Sequence, residues 1–230
     1  MSVRKKADLI RTTLLGDIAH SINTPLGTIN SALQLLHMYM EKGDMKKMHS
    51  YHEIIEKNVF SIAENVSNLL TIYSLNKEDI KGMKEKVSIR NVLKSVIFSL
   101  EQNIEYKHIN MHVDIPKEAD EVFFIEKQLY SLLWNTVHNG VKYTENGDIF
   151  VTGRLHGKKI CIGIRDTGKG IRKEDMGKIF QMFFSTGESA GGVGIGLNIC
   201  RSIVDMYGGR INVSSEGPGK GTSINIVIPQ

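Results

Sequence analysis

The chain is 230 residues long, with 41% hydrophobic and 23% charged residues and only four prolines, a globular profile with room for one large domain or two modest ones. A formal net charge of +4 is mild, and no basic stripe with interleaved aromatics accompanies it, so nucleic acid is not an expected partner. Two cysteines, Cys161 and Cys200, exclude a disulfide scaffold and a Cys-rich metal site, and no apolar run approaches the ~18 residues needed to cross a bilayer. The N-terminus leads into no signal-peptide core, so a cytoplasmic protein without membrane insertion is expected.

In the first eighty residues Leu14, Ile18, Ile22, Leu26, Ile29, Leu33 and Leu36 recur at three- and four-residue steps, which places them on one face of a helix. Met45 to Asn76 repeats the pattern through Ile55, Val59, Ile62, Val66, Leu69 and Tyr73. The polar EKGDMKK segment between them, holding Gly43, is short enough to predict an antiparallel helical hairpin. A lone hairpin hides only part of two wide apolar faces. Pairing two hairpins into a dimeric four-helix bundle buries the rest, and packing against the same chain is the alternative.

Beyond residue 85 the period changes. A helix is predicted over Ile89–Leu100, a strand over 111–115 ended by Pro116, and a helix over Glu126–Val141 with Leu129, Leu132, Leu133 and Val137 inward. Strands at Asp148–His156 and Lys159–Arg165 flank a turn at Gly157, and a helix over Ile195–Tyr207 stops at Gly208-Gly209. Strands at Arg210–Ser215 and Thr222–Ile228 complete the order, which predicts an α/β sandwich with a mixed sheet covered on one face by helices. The domain boundary is expected within Lys77–Lys86, where charges cluster and the apolar periodicity lapses.

Three glycine segments stand at informative places. Asp166-Thr167-Gly168-Lys169-Gly170 follows a strand, Gly191-Gly192-Val193-Gly194-Ile195-Gly196 runs into a helix, and Gly217 to Thr222 (GPGKGT) joins two strands. Glycines before a helix let phosphate oxygens approach backbone N–H groups and the positive helix end. Neither a dinucleotide-binding fingerprint nor a P-loop lysine pattern is present, and a single glycine cluster would mark only a turn. Asn135 and Asn139 are four apart on the Glu126–Val141 helix, with Lys142 and Tyr143 just beyond. An amide oxygen can ligate magnesium, lysine suits phosphates, and Asp166 at a strand end can accept a hydrogen bond from an exocyclic amine.

With these motifs in order, the segment 135–222 resembles the ATP-binding catalytic domain of bacterial sensor histidine kinases, of the wider GHKL-type family that includes gyrase, Hsp90 and MutL ATPases. Asn135–Tyr143 resembles the asparagine box, DTGKG the first glycine box, KIFQMFF with Phe180 and Phe183 the phenylalanine box, and GVGIGL and GPGKGT the later glycine boxes. The resemblance implies ATP and Mg²⁺, with Asn139 as main metal ligand, Asn135 helping to hold metal and phosphates, and Lys142 on phosphate. It further implies that Asp166 reads the adenine amine and that Tyr143, Gly168, Gly170 and Thr222 line the nucleotide. Gly192, Gly194 and Gly196 would shape a mobile lid, short here at Ser185 to about Gly192, and the start of its helix. In the gyrase and Hsp90 relatives a glutamate one turn before the metal asparagine activates water. Asn135 holds that position here, and an amide is no general base.

His20 lies in DIAHSINTPLGTI between Ile18 and Ile22 of the apolar face, so it is expected to point to solvent. Alone it reads as a polar surface residue, although a neutral imidazole is a competent nucleophile near physiological pH. His20, Thr24 and Pro25 match the phosphoacceptor box of the same kinases. The resemblance therefore implies a dimerisation and histidine-phosphoacceptor domain over 1–80, and an ATP-binding catalytic domain over 85–230.

Ser21 departs from that box, where the family has an acidic residue that orients the imidazole and takes its proton. Asp17, one turn before His20, is the candidate substitute. Thr24, one turn after it, matches the residue that places water for dephosphorylating a response regulator. The expected function is two-component signalling: ATP-Mg-dependent autophosphorylation of His20 and transfer to an aspartate of a response-regulator receiver domain, by a homodimer that takes its signal from a separate sensor protein or is an excised core. A catalytically weak nucleotide-binding regulatory or scaffold dimer, favoured by Ser21, and an ATPase of the wider family remain as alternatives.

Overall fold

The computed structural model describes residues 3–73, 83–182, 184 and 194–230, with the side chains of 3–21, 57, 60, 61 and 63–73 outside the described set. The chain divides into two compact units, each considered by itself. Most of the expected boundary at Lys77–Lys86 lies outside the described residues.

The first unit holds two helices, α1 (Val3–Glu41) and α2 (Met45–Tyr73). Gly43 makes the reversal with φ +68, and Asp44 caps α2 by accepting from the Lys47 backbone N–H at 3.1 Å. Tyr39 of α1 stacks on Tyr51 of α2 at 5.6 Å between centroids, and Lys47 Nζ donates to the Tyr39 hydroxyl at 3.1 Å, folding α2 back along α1. The apolar face predicted for α1 divides in two. Ile22, Ile29 and Leu36 are half-buried, joined by buried Pro25 and Ala32, whereas Leu26 and Leu33 remain 43% and 47% exposed. One hairpin partner is narrower than the apolar stripe it meets.

The second unit is built on a five-stranded mixed sheet in the order β2-β4-β5-β7-β6. Its strands are β2 (Ile109–Asp114), β4 (Gly147–His156), β5 (Lys159–Asp166), β6 (Arg210–Ser214) and β7 (Ser223–Pro229). Only β2 and β4 are parallel; the others pair antiparallel, with Val151 opposite Ile164 and Ile164 opposite Ile224. Alternation sends Ile149, Val151, Ile160, Ile162, Ile164, Ile224, Ile226 and Ile228 to one buried face. Against it lie α3 (Ile89–Ser99), α5 (Glu126–Tyr143) and α6 (Gly196–Met206), whose inward residues include Leu93, Leu129, Leu132, Leu133 and Ile203. Each fully buried leucine contributes roughly 1.5–3 kcal/mol.

Three elements were not legible from periodicity. Strands β1 (Glu85–Ser88) and β3 (Glu121–Phe124) form a separate antiparallel pair, and a short helix α4 (Glu101–Tyr106) follows α3. β1 takes in the end of the segment expected to be linker, because Val87 finds a buried place opposite Val122. The helix expected to stop at Val141 runs one further half-turn, bringing Lys142 and Tyr143 into its last turn.

Candidate functional site

α5, the end of β5, the turn before β7 and the start of α6 converge on one region of the second unit. Asp166 is the last residue of β5 and, facing Ile149 across the ladder, lies in register with the buried face. It is 7% exposed. Its Oδ1 accepts the backbone N–H of Gly168 at 2.9 Å and of Thr222 at 3.1 Å. No described donor meets Oδ2, which stays available to a ligand. Burial lifts this carboxyl above the ordinary range, and the two backbone donors oppose that shift.

The three segments are interlocked through their backbones. Asp166 N–H donates to Thr222 O at 2.9 Å, Gly221 N–H to Gly168 O at 3.1 Å, and Lys169 N–H to Tyr143 O at 3.0 Å. Side chains are excluded from the crossing points: a Cβ at Gly168 would collide with the Tyr143 carbonyl, and one at Gly221, where φ is +70, with the Asp166 carbonyl. Gly170 also has positive φ, at +66, beside the Gly217 carbonyl.

Asn135 is buried on α5, and its amide orientation is set by Ser131 one turn earlier: Nδ2 donates to Ser131 O at 2.8 Å. Oδ1 therefore faces the first residue of α6, where a Cβ on Gly196 would approach it to 2.6 Å. Asn139, one turn on, is half-buried and its amide takes no protein hydrogen bond in the described set. Lys142 Nζ lies 5.2 Å from the Tyr143 ring centroid, both side chains half-buried. Asn198 Nδ2 donates to Phe180 O at 3.1 Å, which ties α6 to the phenylalanine-containing segment.

The donor set fits a nucleotide with a divalent cation: a buried carboxylate with one open oxygen, an oriented amide oxygen beside a glycine-started helix, and a lysine in the adjoining helical turn. Among the described residues no group of three or more His, Cys, Asp or Glu side chains could hold a metal ion, so a cation here would depend on amide and phosphate oxygens.

Of the residues singled out in the sequence, Asn135, Asn139, Lys142, Tyr143, Asp166, Gly168, Gly170, Gly196 and Thr222 fall in this second unit around the crossing segments. Gly194 precedes α6 with φ +71, packed against the Phe184 backbone. Gly192, Phe183 and the expected lid from Ser185 lie outside the described residues. His20 and Asp17 lie on α1, their side chains outside the described set, and Thr24 is exposed on the same helix. Ser131, which orients Asn135, carries one sequence signal, its spacing one turn before that residue.

Residues 125–230 match the family described as histidine kinase-, DNA gyrase B- and HSP90-like ATPase. The chain is 30% identical over 221 residues to the adaptive-response sensory kinase SasA of Synechococcus sp. (strain CC9311), covering 94% of this chain and 56% of that protein. It is 30% identical over 228 residues to the sensor histidine kinase YclK of Bacillus subtilis (strain 168), covering 95% of this chain and 46% of that one. It thus spans about half the length of the curated relatives it matches. The nucleotide-free catalytic domain of the histidine kinase ThkA aligns with a TM-score of 0.57 at 27% identity over 64% of this chain and 95% of its own. ThkA in complex with the response regulator TrrA shares the fold, with a TM-score of 0.71 at 22% identity over 99% of this chain and 64% of its own.

Fold and site together define an ATPase domain of the histidine-kinase type. Residues 125–230 match that family, and the chain is homologous to bacterial sensor histidine kinases. Among the described residues no helix is long and apolar enough to cross a membrane.

Proposed function

We propose that the chain is the core of an ATP-dependent protein-histidine kinase, with a dimerisation and phosphoacceptor domain over 1–80 and an ATP-binding domain over 85–230. The observation that carries this reading is the presence, in one chain, of the Asp166 pocket and a long helix bearing His20 five residues before a buried intrahelical proline. Asp166 Oδ2 accepts the adenine exocyclic amine, with Gly168, Gly170 and Thr222 around the base. Asn139 and Asn135 hold Mg²⁺ through their amide oxygens, and Lys142 and Tyr143 flank the phosphates. Bound Mg²⁺ supplies positive charge that offsets the charge on the phosphates. The glycines at 192, 194 and 196 shape the lid and the first turn of α6.

An imidazole nitrogen of His20 forms a bond to the γ-phosphorus while the β–γ bridging P–O bond breaks and ADP leaves. The imidazole proton passes to a base, for which Asp17 is the nearest carboxylate along the helix. The phosphoryl group then moves to a receiver-domain aspartate. The complex of ThkA with its response regulator supports such a partner, and exposed Thr24 suits a water-positioning role in hydrolysis of the receiver's aspartyl phosphate to aspartate and inorganic phosphate. With Asn135 in place of a carboxylate, the position one turn before Asn139 offers no general base to activate water against ATP. Homodimerisation through the exposed α1 stripe completes the proposal, with a separate sensor protein as source of the signal. Ser21 favours a second reading, in which a nucleotide-binding dimer regulates or scaffolds without efficient phosphotransfer.

Labelled ATP separates the two. The parent chain acquires acid-labile label, and His20→Gln acquires none. Ser21→Glu raises the initial rate about tenfold if a neighbouring base limits the reaction, equivalent to about 1.4 kcal/mol of transition-state stabilisation. Label absent even from Ser21→Glu would hand the site to the regulatory reading.

A further inference from the structure

The last turn of α5 is held in part from outside every motif discussed so far. An α-helix ends with four carbonyls that lack intrahelical partners or share them with the cap. Here Gly140 O receives the Thr144 N–H at 3.0 Å and Tyr143 O receives Lys169 N–H at 3.0 Å. The two between them, Val141 O and Lys142 O, are both met by Lys107 Nζ at 2.9 Å. The same ammonium reaches Thr144 O at 3.2 Å. One half-buried cation from the segment between α4 and β2 thus gathers three carbonyls at the negative end of α5, more than thirty positions away in sequence.

We propose that Lys107 is a positioning residue for the polyphosphate of the bound nucleotide. This inference rests on the nucleotide reading given above. Two physical effects point the same way. The hydrogen bonds fix the turn that carries Lys142 and follows Asn139, so the phosphate-facing groups are ordered before the ligand arrives. The ammonium charge also offsets the partial negative charge of the α5 C-terminus, which otherwise opposes an approaching triphosphate. On the adenine side, Asp166 is held by the backbone N–H groups of Gly168 and Thr222, which belong to other segments than the turn that Lys107 binds. Loss of Lys107 therefore acts on the phosphates and spares the base.

The test uses the full chain, with affinities for a non-hydrolysable ATP analogue plus Mg²⁺ and, by competition, for adenosine. Lys107→Met lowers analogue affinity about five- to tenfold and leaves adenosine affinity unchanged. Lys107→Arg, which keeps charge and donors, recovers most of the loss. The double variant of Lys107→Met with Lys142→Met loses less than the sum of the two single losses, because the ordering effect of Lys107 acts through Lys142. Should Lys107→Met fail to fold, as judged by circular dichroism, Lys107→Gln carries the same comparison. Equal losses for analogue and adenosine, or additive losses in the double variant, would overturn the proposal while leaving the nucleotide reading in place. A parent chain that binds neither ligand would overturn both.

Discussion

The two units use the same kind of sequence signal and satisfy it differently. In the α/β unit the apolar phase is consumed internally: Leu129, Leu132, Leu133, Ile203 and Ile226 are all fully buried by helices and strands of their own unit. In the hairpin, Leu26, Leu33 and Val59 stay 43%, 47% and 52% exposed although they continue helical apolar stripes. Equal hydrophobicity thus marks a finished core in one unit and an unfinished one in the other. The difference teaches that, on the dimeric reading proposed above, the hairpin is the region whose stability would depend on concentration.

The largest expected effect breaks that comparison outright. Residues 85–230 remain folded and monomeric on dilution, whereas residues 1–80 are helical only as a dimer and lose their helix when diluted below the dissociation constant. Leu26→Asp with Leu33→Asp weakens association by more than about 100-fold, as two apolar anchors give way to charges. Sedimentation and circular dichroism over a dilution series report both outcomes. A monomeric, stably helical hairpin would show that α1 and α2 alone complete their core.

A second effect lies in the site and has opposite signs for binding and stability. Asp166→Asn lowers affinity for the ATP analogue about 100-fold, because an amide no longer reads the adenine amine in the same sense. His20→Gln, on the other unit, leaves that affinity unchanged. The carboxyl is raised by burial, so the folded ligand-free protein binds this proton more tightly than the unfolded chain does. Its ionisation costs stability as pH rises from the unfolded value, about 3.9, through the raised folded value. Asp166→Asn therefore melts higher than the parent at neutral pH without ligand. Nucleotide affinity of the parent falls on acidification sooner than an ordinary carboxylate would dictate, and calorimetry across pH 5–8 follows both.

The smallest effect sharpens the picture of the α/β unit. Gly196→Ala places a methyl within 2.6 Å of Asn135 Oδ1, turning the amide from its set position. Analogue affinity drops about threefold to tenfold while melting shifts little, since α6 gains helix propensity from the same change. An unaltered affinity would mean that the amide oxygen does not meet the ligand.

Much of this was legible in the sequence, for reasons that differ by element. Helices α3, α5 and α6 and strands β4, β5 and β7 announce themselves because burial on one side imposes a period on neighbouring residues. The glycine and asparagine segments were legible because close backbone approach leaves few residue types acceptable. β1 and β3 were not, being four residues each with one and two buried positions respectively, too few to establish a period. Leu26 and Leu33 were grouped with Ile22 and Ile29 because periodicity shows which residues share a face but not how wide the partner is. Lys107 lay beyond reach because its acceptors are backbone carbonyls, which have no letter in the sequence.

The interlocked turns around Asp166 also bear on the order of events during synthesis. One donor to its carboxylate, Gly168, is two residues away, but the other, Thr222, is fifty-six residues further along. The carboxylate therefore stays half-framed until β7 has left the ribosome and paired with β5. A nascent chain stopped anywhere before that strand carries Asp166 yet lacks one of the two donors that orient its carboxylate. Nucleotide capture is in this sense a report that translation has reached the final strand.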